Sequence, residues 1–277
     1  MKQLLMCLLF LLCASAKASE LPPLEIGIWP YMSTQALLTL YHPLQKHLEA
    51  SLRRPVLFVT APNQRAFVER TLKGAYPFVI TAPHFARLAQ EKAGYVPMLR
   101  PERNLVCLLL VEKNGPVHRL EDLKNRTVTL PSKITIVTIL TLKALEAKGL
   151  QPGRDFTLRY ALSHNSAVLD VLRGESAASA TAATILEQMP ASDKTALRVL
   201  AKTGEVPPLF ILANPSMSKA DVAQMKRMLL DFVQHTPEGK SFLKRVAWRG
   251  LVEPSDEELM RLDPYVAELN ALLGQAK

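Results

Sequence analysis

Residues Asn125–Pro190 read NRTVTLPSKITIVTILTLKALEAKGLQPGRDFTLRYALSHNSAVLDVLRGESAASATAATILEQMP. A β-branched run, Thr127–Leu130, stops at Pro131-Ser132-Lys133 and gives way to a helical pattern closed by Lys148-Gly149. A second strand-like run, Phe156–Leu162, breaks at Ser163-His164-Asn165 before a helix that ends at Arg173-Gly174. Each time a strand stops, small polar residues sit where the next helix begins. The first four N–H groups of a helix lack intrahelical partners, so each such turn is a seat for an anion or polar ligand. Two of these turns at one edge of a parallel sheet make half of a binding cleft, and the rest of the chain has to supply the other half.

Upstream, Leu24–Trp29 reads as a strand, and Ser33 or Thr34 caps a helix to about Leu52 with Pro43 inside it. Pro55–Val59 and Phe78–Ile80 are further strands, followed by helices that run to Leu72 and Lys92. This alternation predicts a parallel, doubly wound α/β sheet. Tyr95–Leu99, Leu105–Val111 and Leu197–Ala201 read as strands, and Val206–Ala213 as another running through Pro207-Pro208. The remainder is expected to be helical over Lys219–Gln234, Glu238–Val246 and Ser255–Leu273. No flexible linker shows itself, so the expected boundary is two crossings: lobe 1 from 19–103 and 206–277, lobe 2 from 104–205.

The first residues stand apart. Lys2, an apolar Leu4–Leu12 and Ala14-Ser15-Ala16-Lys17-Ala18 form a secretory signal peptide over 1–18, cut after Ala18. No later apolar run approaches the roughly 20 residues that span a bilayer, so an exported, periplasmic, soluble protein is expected. Cys7 and Cys13 leave with the leader, and Cys107 remains inside an apolar strand as a core thiol. Of 34 basic residues the leader removes Lys2 and Lys17, which leaves 32 against 25 acidic. That positive balance suits an anionic ligand or an anionic membrane surface. The basic residues are scattered, without dense runs or interleaved aromatics, which argues against nucleic acid.

Motifs for chemistry are missing: no G-x-S-x-G, H-E-x-x-H, P-loop or G-x-G-x-x-G occurs. The six histidines do not pair at metal-ligand spacing. No metal or cofactor is expected, and nothing argues strongly for an enzyme.

The opening LEIGIWP strand, TLKGAYPFVITAPHFARLAQEKAGYVPML, CLLLVEKNGPVHRLEDLKNRTVTL and SHNSAVLDVLRGESAASA follow one another in an order and spacing that carry a family likeness. The chain resembles exported phosphate/phosphite/phosphonate-type substrate-binding proteins of ABC transporters. The resemblance implies a type II periplasmic-binding-protein fold, two doubly wound α/β lobes joined by two hinge crossings. It implies a monomer that closes on a small anionic ligand and presents it to an ABC transporter permease. A membrane sensor kinase is the alternative partner. A dehydratase-type enzyme on the same fold is a further alternative, for which His84 and His164 are the only candidate acid–base pair.

In the family, a Ser/Thr-rich turn of the second lobe holds the anionic oxygens at a helix start. Its place here is Pro131–Thr135, which keeps Ser132 and Thr135 but lacks the usual Ser-Thr-Ser-Gly run. Lys133 either compensates with a full charge or points to solvent. His164 matches a ligand-touching position, with Asn165 beside it at the helix start. Phosphonate-type members also carry a carboxylate that can hold a ligand amine, and Ala180–Thr184 has none. From lobe 1, Tyr31, Thr60, Asn63, Thr81 and His84 occupy the turns that should face the cleft; cap and turn chemistry explains such residues equally well.

Overall fold

The chain folds by returning each strand to one central gap. In the computed structural model, which describes residues 21–274, the expected leader over 1–18 lies outside the described residues. Strand β1 (Leu24–Ile28) leads into α1 (Thr34–Leu52), whose N-cap Ser33 accepts from the Ala36 amide, and Pro43 is accommodated within the helix. Strand β2 (Val56–Val59) leads into α2 (Gln64–Leu72), and β3 (Phe78–Thr81) into α3 (Pro83–Ala93). Pro83 opens α3, where its missing N–H costs nothing. Strand β4 (Val96–Pro101) completes this run, and the chain crosses to the second sheet at 102–104.

There β5 (Leu105–Glu112) is followed by β6 (Thr127–Leu130), α4 (Ile136–Glu146), β7 (Thr157–Tyr160), α5 (His164–Leu172) and β8 (Ala178–Ala182). Helices α6 (Ala183–Gln188) and α7 (Ala191–Thr195) lead to β9 (Leu197–Val206). The chain recrosses at 207–209 into β10 (Phe210–Ala213). Helices α8 (Lys219–His235) and α9 (Pro237–Arg245), strand β11 (Leu251–Val252), and helices α10 (Asp256–Met260) and α11 (Asp263–Gly274) finish the first lobe.

The sheets are ordered β11-β4-β10-β3-β1-β2 and β7-β6-β8-β5-β9. Both are mixed, where the alternation predicted parallel sheets. β1 pairs parallel with β2 and β3, and β6 with β7 and β8, whereas β10 and β5 run antiparallel to their neighbours. The reason is geometric. The parallel strands end at the gap, but β5 and β10 begin there, directly after a crossing, and must run away from it.

Two other expectations shift. Val206–Ala213 divides because Pro207 and Pro208 cannot donate to a ladder. The expected helix over Ser255–Leu273 breaks before Asp263, since Pro264 offers no N–H to the preceding turn. Strand β11 is too short for any periodic signal.

Packing follows from these choices. Tyr41, Phe67, Phe210, Phe232 and Phe242 are fully buried in the first lobe, and Cys107, Leu109 and Leu130 in the second. Burial pushes the Cys107 thiol up to about 12, so it stays protonated and inert. Among the described residues no helix is long and apolar enough to cross a membrane.

The α8–α9 corner is the tightest point. A Cβ on Gly239 would lie 1.8 Å from the Phe232 carbonyl oxygen, which already accepts from Thr236 Oγ1 at 2.8 Å. Gly239→Ala should therefore lower the unfolding free energy by about 3 kcal/mol, the upper end of the overpacking range. Urea denaturation checks this, and a loss under about 1 kcal/mol would mean that the corner relaxes.

Candidate functional site

The ends of β1, β3, β6 and β8, the starts of the helices after them, and both crossings converge on one cavity between the lobes. Lobe 1 contributes Trp29, Tyr31, Ala82, Val246 and Trp248. Lobe 2 contributes Thr135, Ile136, Val137, His164, Thr184, Ile185 and Gln188, and the crossings add Arg103, Asn104, Pro208 and Leu209. The cavity measures about 60 Å³. A single water needs roughly 10–15 Å³, so the space suits a compound of a handful of non-hydrogen atoms.

Two helix starts contribute polar groups to it. Thr135 caps α4: its Oγ1 accepts from the Thr138 amide at 3.2 Å, and the Thr138 hydroxyl donates to the Pro131 carbonyl at 3.1 Å. That arrangement fixes the turn and leaves the Ile136 and Val137 amides without a partner among the described residues. They carry the positive end of the helix dipole into the cavity. His164 opens α5 as its first residue, and Ser163 caps that helix by accepting from Ser166. Nδ1 of His164 lies 3.5 Å from Thr181 Oγ1, and Nε2 makes no hydrogen bond within the described residues. Burial lowers His164 to about 4, so the ring is neutral near pH 7. The neutral ring leaves Nε2 as a hydrogen-bonding group for the cavity. Across the gap, burial pushes Tyr31 up to about 12 and keeps its hydroxyl protonated.

Three bonds span the lobes near this cavity. His84 Nε2 lies 2.8 Å from the Ile134 carbonyl, Gln188 Nε2 donates to the Val246 carbonyl at 3.2 Å, and Lys143 pairs with Glu268 at 2.7 Å. A carbonyl can only accept, so the His84 proton sits on Nε2. His84 is fully buried, stacked on Phe85 with centroids 3.9 Å apart, and its Nδ1 has no partner. Burial lowers it to about 4.

Of the residues singled out in the sequence, Tyr31, Thr135 and His164 line the cavity together. The others sit elsewhere. Thr60 Oγ1 donates to the Ile28 carbonyl at 2.8 Å, tying two strand ends, and Asn63 caps α2 in solvent. Thr81 is buried within β3 with an unpartnered hydroxyl. His84 is turned to the Ile134 carbonyl, so it does not share the cavity with His164. Ser132 and Lys133 are half-buried in the turn before the lining begins, and the Ser132 carbonyl accepts from the Thr135 amide. Asn165 is half-buried beside His164, outside the lining, with an unpartnered Oδ1. A helix start offers its amides from the first residues after the cap, and it is Thr135–Val137 rather than Ser132 that line the cavity.

Sequence reasoning misses the walls. Trp29 and Trp248 are the only two tryptophans in the chain, and both line the cavity. Their scarcity is the one signal that pointed to them. Arg103, the sole full charge in the lining, pairs with Glu187 at 2.8 Å.

A family of ABC transporter phosphonate periplasmic substrate-binding proteins matches residues 26–259. The chain belongs to that family. Membership places it outside the cytoplasm. Among curated proteins, none matches the chain by sequence. Among solved structures, PhnD1 from Prochlorococcus marinus in complex with methylphosphonate is similar with a TM-score of 0.80 and 16% identity, over 90% of this chain and 98% of that one. A binding protein component of an ABC phosphonate transporter from Pseudomonas aeruginosa gives 0.79 and 16%, over 91% and 89%. The periplasmic aliphatic sulphonate binding protein SsuA from Escherichia coli gives 0.64 and 17%, over 92% and 94%. At such identities the likeness is one of fold, and it is the type II periplasmic binding fold of this family.

The two buried histidines couple stability to pH. Each is held near 4 when folded and lies near 6.5 when unfolded, so between those values the unfolded chain binds more protons. Stability should therefore rise with pH across that window and fall on acidification, by up to roughly 3 kcal/mol per histidine below pH 4. Urea denaturation at pH 7, 5.5 and 4.5 should show a shallower dependence for the His84→Gln/His164→Gln variant. An unchanged slope would show that other groups govern acid sensitivity.

Proposed function

We propose that this chain captures a small oxyanion, of the phosphonate class its family is described for, and hands it to the permease of an ABC transporter. The observation that carries the reading is the convergence of the α4 start at Ile136 and Val137, the His164 ring and the Trp29 and Tyr31 side chains on one cavity between two lobes. Trp29 and Tyr31 belong to one lobe and the other groups to the second, so an oxyanion touching both favours the closed arrangement. Closure shifts only by the ligand's differential affinity for the two states. Contacts from both sides provide that difference. The leader, cut after Ala18, would deliver the chain as a monomer to the periplasm.

Both tryptophans line the cavity, so binding should register in intrinsic fluorescence as well as in thermal shift. A bound oxyanion at 100 times its dissociation constant adds about 2.7 kcal/mol of stability. Ile136→Pro isolates the seat. Proline is favoured at the first helical position, and Thr135 already has the extended backbone that must precede it, φ −79° and ψ 145°. The substitution deletes one amide donor and should weaken methylphosphonate binding about tenfold or more, with helix content by circular dichroism unchanged. Unaltered affinity in a folded variant would place the anion elsewhere. No response to methylphosphonate, phosphate, phosphite, sulfate or alkanesulfonates would reject the reading.

A further inference from the structure

Most of the cavity lining is apolar. Trp29, Leu105, Ile185, Leu209, Val246 and Trp248 supply much of its wall. Trp29 is held against Phe85 with centroids 4.4 Å apart, and Trp248 stands edge-on to Phe242 at 5.8 Å, so neither indole is loose. No aspartate or glutamate belongs to the lining. Thr184, in the first turn of α6 after β8, offers a neutral hydroxyl. Gln188 donates one amide hydrogen to the Val246 carbonyl, and Asn104 donates to Glu205 at 2.9 Å. Of the two acids next to lining residues in the chain, Glu187 is bound to Arg103 and Glu102 is exposed, and both lie outside the lining.

These facts decide what can be attached to the oxyanion. An ammonium group carried into this space would lose its hydration, meet Arg103 as a like charge, and find no carboxylate to replace water. An apolar group would lose only unfavourable hydration and gain contact with two fixed aromatic faces. Bare phosphate would leave the apolar walls unfilled. We infer that the cleft selects a small oxyanion bearing a short, apolar, uncharged substituent and discriminates against amine-bearing analogues. The inference rests on the oxyanion reading proposed above and narrows it. Thr184 is the position that tests this choice, because it lines the cavity with a neutral hydroxyl that an aspartate would replace by a carboxylate.

Tryptophan-fluorescence and calorimetric titrations of the mature protein at neutral pH test it with matched ligands: ethylphosphonate, 2-aminoethylphosphonate, inorganic phosphate, ethanesulfonate and 2-aminoethanesulfonate. For at least one head group the ethyl compound should bind tenfold or more tighter than its amino counterpart, and ethylphosphonate should exceed phosphate. Comparing the phosphonate and sulfonate arms identifies the head group, and the preference for ethyl in either upholds the inference. Thr184→Asp should gain tenfold or more for the amino compound and lose affinity for the ethyl one. Equal or tighter binding of the amino compounds by the unaltered protein overturns the inference while leaving oxyanion capture intact. Binding of none of the five sinks oxyanion capture itself, and this inference with it.

Discussion

A helix cannot satisfy its own first amides, and this architecture depends on that deficit. The segments after β1, β3 and β8 and the starts of α4, α5 and α6 line the same gap. At the α4 start two amides, on Ile136 and Val137, have no partner among the described residues because the Thr135 cap absorbs only the next one. A single oriented pair of N–H groups at a helix terminus favours negative charge without any lysine or arginine. The site is accordingly almost free of full charges. His164 is neutral and Tyr31 protonated, so neither has ionic hydration to give up.

The contact that brings the lobes together has the same character. His84 reaches the Ile134 carbonyl, one residue before the Thr135 cap of α4. A neutral hydrogen bond of this kind contributes about 0.5–1.5 kcal/mol net. That is enough to bias a two-state hinge and too little to lock it. The link to the cavity is also direct, since the carbonyl held by His84 and the cavity-lining Ile136 and Val137 belong to one turn. The exposed Lys143–Glu268 pair adds little, because both side chains remain substantially solvated.

Local chemistry explains what the sequence made legible. Caps such as Ser33, Asn63 and Ser163, and stops such as Gly74, Gly94, Gly149 and Gly174 at positive φ, are read from short patterns because their physics is confined to a few residues. The strand-to-helix alternation therefore appears in the right order, and the turn at 131–135 stands out. Direction does not. Whether His84 points into the gap or across it depends on how far away the facing lobe sits, a distance with no local signature. Trp248 lies after α9 in a segment without periodicity, and only long-range packing brings it to Trp29's side of the cavity. The strand directions of β5 and β10 are hidden for a similar reason, since they follow from where the chain re-enters a sheet rather than from composition.

The two short connections between lobes carry a mechanical consequence. One contains consecutive prolines, whose fixed φ angles remove torsional freedom, and the other, at 102–104, contains none. Swivelling is thereby concentrated in the softer strap, and that strap bears Arg103 and Asn104 on the cavity wall. Twisting it displaces side chains that would touch cargo, so the joint and the grip are one mechanical part. A compound lodged against that wall resists rotation at the pivot itself, without any lever arm to transmit the load.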